Sequence, residues 1–222
     1  MVAQITAHAA ACARSLGKSA LDPRVLDVMA RLPRHHFVPP GAEAQAYDDR
    51  PLAIGCGKTI SQPFIVALMT DLLELGPADR VLEIGTGYGY QTAVLASLAA
   101  RVFSIERQPA LAAQARRNLD ALGLTGVELR TGDGLLGWPE QAPFDRIIAT
   151  GAPATVPPAL IEQLRPGGRM VLPVGPAGGV QQLRRLSKDA GGHLVSQDVL
   201  AVRFSELEPG ELGEPKADAG QY

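Results

Sequence analysis

The sequence predicts a single α/β domain: a doubly wound, mostly parallel seven-stranded sheet with helices on both faces, and N-terminal helices that cap its site. Three observations lead to this fold class. Short apolar runs alternate with helical patterns across residues 80–175, as strands and crossover helices do in a parallel sheet. A glycine-rich turn follows the first of those runs. The 222 residues, 46% of them hydrophobic, are enough for one core.

The N-terminal part contains two predicted helices followed by an extended stretch. Apolar residues at helical spacing predict the first helix. Asp22 is predicted as the N-cap of the second helix, with Pro23 in its first turn and Pro33 at its end. Residues 35–40 are predicted to be extended, with His35 and His36 as partly exposed linker residues rather than catalytic groups. The apolar positions that mark the two helices are Ile5, Ala9, Cys12, Leu16, Val25, Met29 and Leu32.

Residues 49–63 show neither a helical nor a strand period. A long structureless run inside a compact domain usually has a function. A strong helix is predicted to follow it and to close at Gly76-Pro77. Ser61 stands where that helix would have its N-cap, with Pro63 in the first turn. Spacing alone leaves Ser61 open between a helix cap and an active-site residue, and the two roles are compatible.

From residue 80 the chain alternates between predicted strands and predicted helices. Residues 181–207 are predicted to form antiparallel strands that turn at Ala190-Gly191-Gly192. Beyond Glu208 the chain is polar and contains Gly and Pro, which predicts a frayed tail. The predicted parallel strands are 80–84, 101–105, 127–130, 145–149 and 169–174, and the helices between them begin near Tyr88, Pro109 and Pro157.

The turn after the first parallel strand has glycines at positions 85, 87 and 89. A dinucleotide-binding loop would need Gly or Ala where this chain has Tyr90. Glycines let the backbone turn sharply and let a ligand lie against bare main chain, although a tight turn without a ligand is the alternative. Glu83 precedes the loop, where a carboxylate would repel a pyrophosphate but suit a cation. S-adenosylmethionine carries an ammonium and a sulfonium and no phosphate, so the loop favours a methyl donor.

Three acids fall at the ends of successive predicted strands: Glu83, Glu106 and Asp133. In open α/β sheets, ligands bind outside the carboxyl ends of the strands. Glu106 lies about twenty residues beyond the loop, where an acid can accept both ribose hydroxyls. Asp133, framed by Gly132 and Gly134, could accept a hydrogen bond from an adenine amino group. Each acid alone is as easily a cap or a turn residue, but the three together favour a binding site.

Composition excludes several classes of protein. The net charge is −2 and no basic block or basic–aromatic stripe occurs, so no nucleic-acid partner is expected. No apolar run approaches the ~20 residues that cross a bilayer, and the alanine-rich start is a poor signal peptide. Cys12 and Cys56 have no CxxC partner, and the histidines show no ligand spacing. We therefore expect no metal, no membrane partner, reduced thiols and a cytoplasmic location.

With these features, the chain resembles class I S-adenosylmethionine-dependent methyltransferases with a Rossmann-like fold, and within that class the protein-L-isoaspartate O-methyltransferase family. The resemblance covers roughly residues 20–207. The glycine loop is generic to methyltransferases, whereas the run Thr59-Ile60-Ser61-Gln62-Pro63 discriminates the family. The other matching pieces are Leu32-Pro33-Arg34, Phe37-Val38-Pro39, Pro51 to Gly55, Val81 to Gln91, Gly132-Asp133-Gly134, Ala142 to Asp145, Leu164 to Gly168 and Val202-Arg203-Phe204.

The resemblance implies an enzyme that transfers the methyl group of S-adenosylmethionine to the free α-carboxylate of L-isoaspartyl residues in damaged proteins, which initiates their repair. It implies Ser61 as the catalytic residue, and Thr59, Ser61, Phe204 and Ser205 as substrate-binding residues. The residues implied in cofactor binding are Ile60, Glu83, Gly85, Thr86, Gly87, Gln91, Glu106, Arg107, Gly132, Asp133 and Gly134.

The chain departs from the family pattern at one edge. Where the family continues Phe-Val-Pro-Leu, this chain has Phe204-Ser205-Glu206-Leu207. Glu206 adds negative charge near an anionic acceptor, which Lys58 is expected to offset. The departure keeps open a carboxyl methyltransferase that acts on another peptide or a small acid. A nicotinamide oxidoreductase on the same sheet is disfavoured by Glu83 and Tyr90, and a non-catalytic cofactor sensor by the intact Ser61 segment.

The predicted organisation is one methyltransferase domain with no linker. Residues 1–79 form a helical substrate segment, and residues 80–175 form the cofactor-binding core. Residues 176–207 form C-terminal antiparallel strands, and residues 208–222 form a flexible tail. We expect a monomer that acts on isoaspartyl-containing proteins and peptides, because flexible damaged substrates need an open rim.

Overall fold

The structure, a computed structural model, describes residues 1–209. The strands are β1 (Leu52–Gly55), β2 (Lys58–Ile60), β3 (Arg80–Ile84), β4 (Arg101–Glu106), β5 (Val127–Thr131), β6 (Phe144–Ala149), β7 (Leu164–Val174), β8 (Gln181–Lys188) and β9 (Leu194–Val202). The α-helices are α1 (Val2–Ala11), α2 (Ala13–Leu16), α3 (Pro23–Arg31), α4 (Pro63–Leu73), α5 (Tyr90–Ala96), α6 (Pro109–Ala121) and α7 (Pro158–Gln163). Short 3₁₀ helices occur at Arg34–Phe37, Glu43–Gln45, Gly134–Leu136 and Pro139–Gln141.

The main sheet has seven strands in the order β5-β4-β3-β6-β7-β8-β9, and β1 pairs with β2 in a separate hairpin. Strands β3 to β7 are parallel, whereas β8 and β9 are antiparallel. The chain moves outward from β3 to β5 and then returns to place β6 on the other side of β3. A crevice opens at such a switch point, outside the carboxyl ends of the strands. The predicted mostly parallel seven-stranded sheet is confirmed.

Alternate residues of each central strand face two separate cores. On β3, Val81 belongs to the larger core under α1, α3, α4 and α5, whereas Leu82 belongs to the smaller core with α7. On β4, Val102 and Phe103 divide in the same way. Burial on both faces explains why these strands are continuous apolar runs in the sequence. The predicted helices on both faces of the sheet are therefore present.

The predicted helices occur, with shorter or broken spans. Helix α3 begins as predicted, because the Asp22 side chain accepts a hydrogen bond from the Arg24 amide at 2.8 Å. The predicted first helix is broken at Cys12 into α1 and α2. Helix α4 ends at Leu73 rather than at Gly76-Pro77, because Glu74 takes the left-handed conformation with φ 51°.

The prediction of an extended stretch over residues 35–40 is wrong in its first part. Residues Arg34–Phe37 form a 3₁₀ turn, and the chain extends only from Val38. Both Arg34 and Phe37 are buried. Side chains three residues apart align in a 3₁₀ helix, whereas in a strand they would point to opposite faces. The turn therefore buries both residues on one side, and the neighbouring His35 contacts the Tyr47 hydroxyl instead of the cavity described below.

The prediction that residues 49–63 are structureless is also wrong, because β1 and β2 form a hairpin there. Its turn places Gly55, Cys56 and Gly57 at positive φ, which two glycines make accessible. Leu52 and Ile54 alternate with exposed neighbours on β1, a period of two over only four residues. This short alternation followed by two glycines is the signal in the sequence for a hairpin.

The C-terminal antiparallel strands are confirmed as β8 and β9. In the turn between them, the Asp189 amide donates a hydrogen bond to the His193 carbonyl at 2.9 Å. The predicted frayed tail falls almost wholly outside residues 1–209. Within that described part of the chain, no helix is both long and apolar enough to cross a bilayer.

Candidate active site

A cavity of about 560 Å³ opens at the carboxyl ends of the central strands. One wall is the glycine loop after β3 together with the ends of β4 and β5. The opposite wall is the hairpin β1–β2 and the start of α4. Residues 200–208, at and beyond the end of β9, form part of the rim. Segments far apart in sequence therefore face one space, as expected at a topological switch point.

The glycine loop follows β3 in a conformation that only glycine adopts easily. Gly85, Gly87 and Gly89 have φ values of 91°, 57° and 94°. The Gly85 amide donates to the Ile105 carbonyl at 2.8 Å, so the loop is tied to β4. A Cβ atom on Gly85 would lie 2.5 Å from Thr150 Oγ1. The bare main chain is thus required both by the turn and by its neighbour on the β6 side.

Glu106 lies at the end of β4 and lines the cavity. Its Oε2 accepts a hydrogen bond from the Gly87 amide at 2.8 Å, and its Oε1 accepts one from the Gln108 amide at 2.9 Å. Burial raises the pKa of this carboxyl above its ordinary value, while these amides favour the ionised form. The carboxylate is therefore held rigidly, and each oxygen has a further lone pair for a ligand hydroxyl.

Glu83 does not line the cavity, although the sequence analysis places it among the residues that bind the cofactor. It is fully buried beneath the glycine loop. Its Oε2 accepts hydrogen bonds from Thr92 Oγ1 at 2.5 Å and Ser104 Oγ at 2.6 Å, and Ser104 in turn contacts Thr86 Oγ1 at 2.6 Å. Burial raises the pKa of Glu83 to about 7. This position suits a residue that supports the loop through Thr86.

The predicted residues after β5 divide between the cavity and its support. Asp133 lines the cavity, and its Oδ1 accepts a hydrogen bond from the Leu135 amide at 2.8 Å. Gly134 also lines it, and a Cβ there would lie 2.2 Å from Ile84 Cγ2. Gly132 is not among the lining residues, and its amide instead donates to the Glu106 carbonyl at 3.0 Å. The predicted residues Ile60, Thr86, Gln91 and Arg107 all line the cavity.

Ser61 is half-buried and lines the opposite wall with Thr59. The alternative that Ser61 caps α4 is wrong. The N-cap position is Gln62, and the amide of Phe64 is satisfied by Asp49 Oδ1 at 2.8 Å. The Ser61 carbonyl accepts a hydrogen bond from Arg34 Nη2 at 2.8 Å. The side chain of Ser61 is thus not committed to the helix end.

The rim segment runs beside the loop after β6. The Ala152 amide donates to the Ser205 carbonyl at 2.8 Å, and the Leu207 amide donates to the Ala152 carbonyl at 3.0 Å. Phe204 and Ser205, which are predicted to bind substrate, line the cavity. Lys58 Nζ contacts the Glu206 carbonyl at 3.2 Å and pairs with the Glu208 carboxylate at 3.6 Å. The expected charge offset by Lys58 is therefore directed at Glu208 rather than at the Glu206 carboxylate.

Sequence reasoning missed residues that contact the site from distant segments. His8 lines the cavity, stacks on Phe64 with ring centroids 4.0 Å apart, and contacts Asp49 at 3.0 Å. Arg34 reaches the Ser61 main chain and lies over the Tyr90 ring. Spacing gives no signal for such contacts, because His8 and Asp49 are 41 residues apart.

The cavity wall formed by the glycine loop and the ends of β4 and β5 fits a cationic ligand with a ribose, and it does not fit a pyrophosphate. Burial is the main cause that makes Glu83 costly to ionise, and the negative charge of the cavity-lining Glu106 adds to that cost. A cation near this pair would relieve that cost, whereas a phosphate would add to it. The glycine cradle, formed by Gly85, Gly87 and Gly134, presents main chain without side chains to the cavity. The fold and this site together define a class I S-adenosylmethionine-dependent methyltransferase.

Comparison with known proteins identifies the family within that class. A family model described as protein-L-isoaspartate(D-aspartate) O-methyltransferase matches residues 12–211. A protein-L-isoaspartate O-methyltransferase 1 of Polaromonas sp. is 54% identical over 213 residues, which cover 96% of this chain and 90% of the relative. The relative in Anaeromyxobacter dehalogenans is 59% identical over 187 residues, or 84% of this chain and 90% of the relative. The chain belongs to the protein-L-isoaspartate(D-aspartate) O-methyltransferase family.

A solved structure supports the same assignment. A protein-L-isoaspartate O-methyltransferase superposes with a TM-score of 0.80 at 29% identity, over 96% of this chain and 67% of that one. The predicted fold, family, enzyme class and methyl donor are thus confirmed.

Proposed function

We propose that this chain methylates the free α-carboxylate of L-isoaspartyl residues in damaged proteins and peptides, with Ser61 as the catalytic residue. The observation that carries this assignment is the shared cavity. Ser61 on the hairpin side and Glu106 on the glycine-loop side line the same space of about 560 Å³. An acceptor held near Ser61 therefore faces a methyl donor held near Glu106.

On the methyl-donor side, Glu106 accepts the ribose hydroxyls, and Asp133 accepts from the adenine amino group. The main chain of Gly85, Gly87 and Gly134 approaches the ligand closely, and a Cβ at Gly85 or Gly134 would force Thr150 or Ile84 to shift. Thr86, Gln91, Ile60 and Arg107 complete the lining. Glu83 and Gly132 act from beneath, Glu83 through its buried charge and Gly132 through its hydrogen bond to the Glu106 carbonyl.

On the acceptor side, no general base is needed. An α-carboxylate has a pKa near ~3.5, so it is already an anion at neutral pH and is the nucleophile. The Ser61 hydroxyl donates one hydrogen bond that aims the carboxylate, while Thr59 and the main chain of Phe204 and Ser205 hold the peptide. Desolvation of the anion and its orientation are the contributions that these residues make.

Bound S-adenosylmethionine supplies an electrophilic methyl group on a sulfonium. The carboxylate oxygen of the peptide forms the new bond to the methyl carbon, and the electron pair of the breaking carbon–sulfur bond stays on sulfur. The products are the peptide methyl ester and S-adenosylhomocysteine. Opposite charges are neutralised as the methyl group moves, so the residues around the anion must hold it lightly.

The finer assignments complete the proposal. Residues 1–79 supply the acceptor side and residues 80–175 the methyl-donor side of one domain, with residues 176–207 at the rim. The enzyme acts as a monomer on flexible peptides and has no nucleic-acid partner. A cytoplasmic location accords with Cys12 and Cys56, which are both free thiols.

The test is transfer of labelled methyl from S-adenosylmethionine to matched peptides that contain Asp or isoAsp, with small free acids in the same panel. We expect base-labile label on the isoAsp peptide alone. One charge-assisted hydrogen bond contributes about 1.5–3 kcal/mol, so Ser61→Ala should slow transfer about ten- to a hundred-fold. The matched control is Ser196→Ala, on the exposed face of β9 away from the cavity. Label on a small acid but not on the isoAsp peptide would favour the alternative acceptor, and unchanged transfer by Ser61→Ala would remove Ser61 from the mechanism.

A further inference from the structure

Arg34 is a fully buried arginine whose hydrogen bonds go to main-chain carbonyls. Its side chain has 0% exposure. Its Nε donates to the Ala46 carbonyl at 2.7 Å, and its Nη2 donates to the Ser61 carbonyl at 2.8 Å. Within residues 1–209, no salt bridge to a carboxylate accompanies these bonds. Burial lowers the pKa of Arg34 to about 10, so the guanidinium stays charged at neutral pH.

The same guanidinium contacts the other wall of the cavity. Its central carbon lies 4.7 Å from the centroid of the Tyr90 ring. Tyr90 is the first residue of α5, directly after the glycine loop, and it lines the cavity. Phe37 packs edge-to-face against the same Tyr90 ring, with the two ring centroids 5.5 Å apart. One side chain therefore joins the Ser61 segment to the segment that follows the glycine loop.

Burying the charged Arg34 side chain in the core costs free energy that an apolar side chain would not cost. Removing an ion from water costs several kcal/mol even after relaxation, and well-packed hydrophobic residues often replace a buried charge with no loss of stability. Arginine is seldom fully buried without a salt bridge, and the Asp49 carboxylate attracts Arg34 only from beyond salt-bridge distance. The feature that a hydrophobic residue could not provide is the pair of directed bonds to Ala46 and Ser61. Stability alone therefore does not account for Arg34.

We propose that Arg34 is a positioning residue for the methyl transfer: it fixes the Ser61 carbonyl relative to Tyr90 and so sets the orientation of the Ser61 hydroxyl toward the methyl-donor wall. The carbonyl bond restrains the backbone of Ser61 on the side that leads into α4. The contact between the guanidinium and the Tyr90 ring holds the Ser61 backbone at a fixed position relative to the glycine loop. The inference rests on the catalytic role proposed for Ser61.

The experiment is a double-mutant cycle that combines Arg34→Met with Ser61→Ala, measured as kcat and KM for an isoAsp peptide. Methionine keeps an unbranched apolar side chain but removes both carbonyl bonds and the charge. We expect Arg34→Met to lower kcat about tenfold, as for the loss of one charge-assisted bond, with the Kd for S-adenosylmethionine changed less than about threefold. In the Ser61→Ala background there is no hydroxyl left to misalign, so adding Arg34→Met should change kcat little.

Arg80→Met is the matched control. Arg80 also donates to a carbonyl, that of Gln141 at 2.7 Å, and also lies over an aromatic ring, that of Phe103 at 4.8 Å. It does not line the cavity. Arg80→Met should leave kcat unchanged in both backgrounds. Arg34→Lys, which keeps the charge but can serve only one carbonyl well, should recover part of the lost kcat, and it carries the test if the methionine variant does not fold.

The outcomes separate the two proposals. A wild-type enzyme that leaves the isoAsp peptide unlabelled would refute the proposed function before any variant is compared. Wild-type kcat in Arg34→Met, or effects of Arg34→Met and Ser61→Ala that simply multiply, would overturn the role of Arg34 and leave that of Ser61 in place. Wild-type kcat in Ser61→Ala would overturn both, because Arg34 is argued to act through Ser61.

Discussion

The Glu83→Gln substitution is expected to remove a pH dependence from the stability of the fold. Burial raises the pKa of Glu83 from 4.5 to about 7 in the folded chain. The folded state therefore holds this proton more tightly than the unfolded state does. The stability contribution of Glu83 is fully present below pH 4.5 and is lost as the pH rises through about 7.

The magnitude follows from these two values. One pKa unit corresponds to about 1.36 kcal/mol, and linkage over the shift gives a loss of about 2.5 kcal/mol in the free energy of unfolding between pH 5 and pH 8. Glutamine has no proton to lose, so the variant lacks this loss. Its amide would stand where Glu83 Oε1 has no hydrogen-bond partner in the described part of the chain. That cost of about 1–3 kcal/mol lowers the stability of the variant equally at both pH values.

The assay is urea unfolding of both proteins without methyl donor at pH 5 and pH 8. The difference in the free energy of unfolding, variant minus wild type, should rise by about 2.5 kcal/mol at the higher pH. Glu106 titrates in both proteins, so to first order its contribution cancels in this difference. The control is Glu162→Gln, whose carboxylate is exposed on α7. A variant-minus-wild-type difference that is the same at both pH values would refute the reasoning that Glu83 is a desolvated, titrating carboxyl.

Three further substitutions test the cavity. Gly85→Ala places a Cβ 2.5 Å from Thr150 Oγ1 at a φ of 91°, and it should weaken the binding of S-adenosylmethionine by tenfold or more in calorimetry. Glu106→Gln replaces one acceptor oxygen by an amide donor, and it should raise the Kd for S-adenosylmethionine by about tenfold with less effect on the peptide KM. Glu206→Pro should be tolerated, because the two bonds to Ala152 come from its neighbours, and it should lower the KM for an acidic isoAsp peptide by removing a rim charge.

Each of these variants has a comparison that could contradict it. Gly123→Ala also introduces a Cβ at positive φ, 63°, but in open space, and should leave the Kd unchanged. Equal losses in the two glycine variants would show that strain, rather than the cradle, is responsible. An unchanged Kd in Glu106→Gln would remove the ribose contact. If Glu206→Gln lowers the KM as much as Glu206→Pro, charge accounts for the effect, and an unchanged KM in both would remove the rim from substrate binding.

Local patterns in the sequence were enough for most of the secondary structure. The apolar run 80–84 is a strand because a strand buried on both faces must be apolar along its whole length. Helix α3 begins at Asp22-Pro23 because a cap needs only neighbours two residues away. The hairpin β1–β2 was missed because its alternation is too short to stand out from a loop. These are all properties of a few consecutive residues.

The candidate site was predictable where its residues belong to one local motif. The glycine loop, Glu106 and Asp133 follow from strand ends and glycine spacing, and the structure brings all three to the cavity. The segment around Ser61 was recognised through its resemblance to a family, and the choice between a cap and a cavity residue stayed open. That choice depends on Asp49, whose carboxylate accepts the hydrogen bond of the Phe64 amide although the two residues are 15 positions apart.

The sequence by itself determined the parallel strands with the helices between them, the glycine turn and the family, because each depends on a pattern of neighbouring residues. Only the tertiary structure decided which polar side chains face the cavity and which lie beneath it. Glu83 is the penultimate residue of β3 and Glu106 is the last residue of the neighbouring β4, yet Glu83 is enclosed by Thr92 and Ser104 whereas Glu106 is open to the cavity. The contact of Arg34 with Ser61 spans 27 residues. Burial and such contacts depend on how distant elements pack, which no local period encodes.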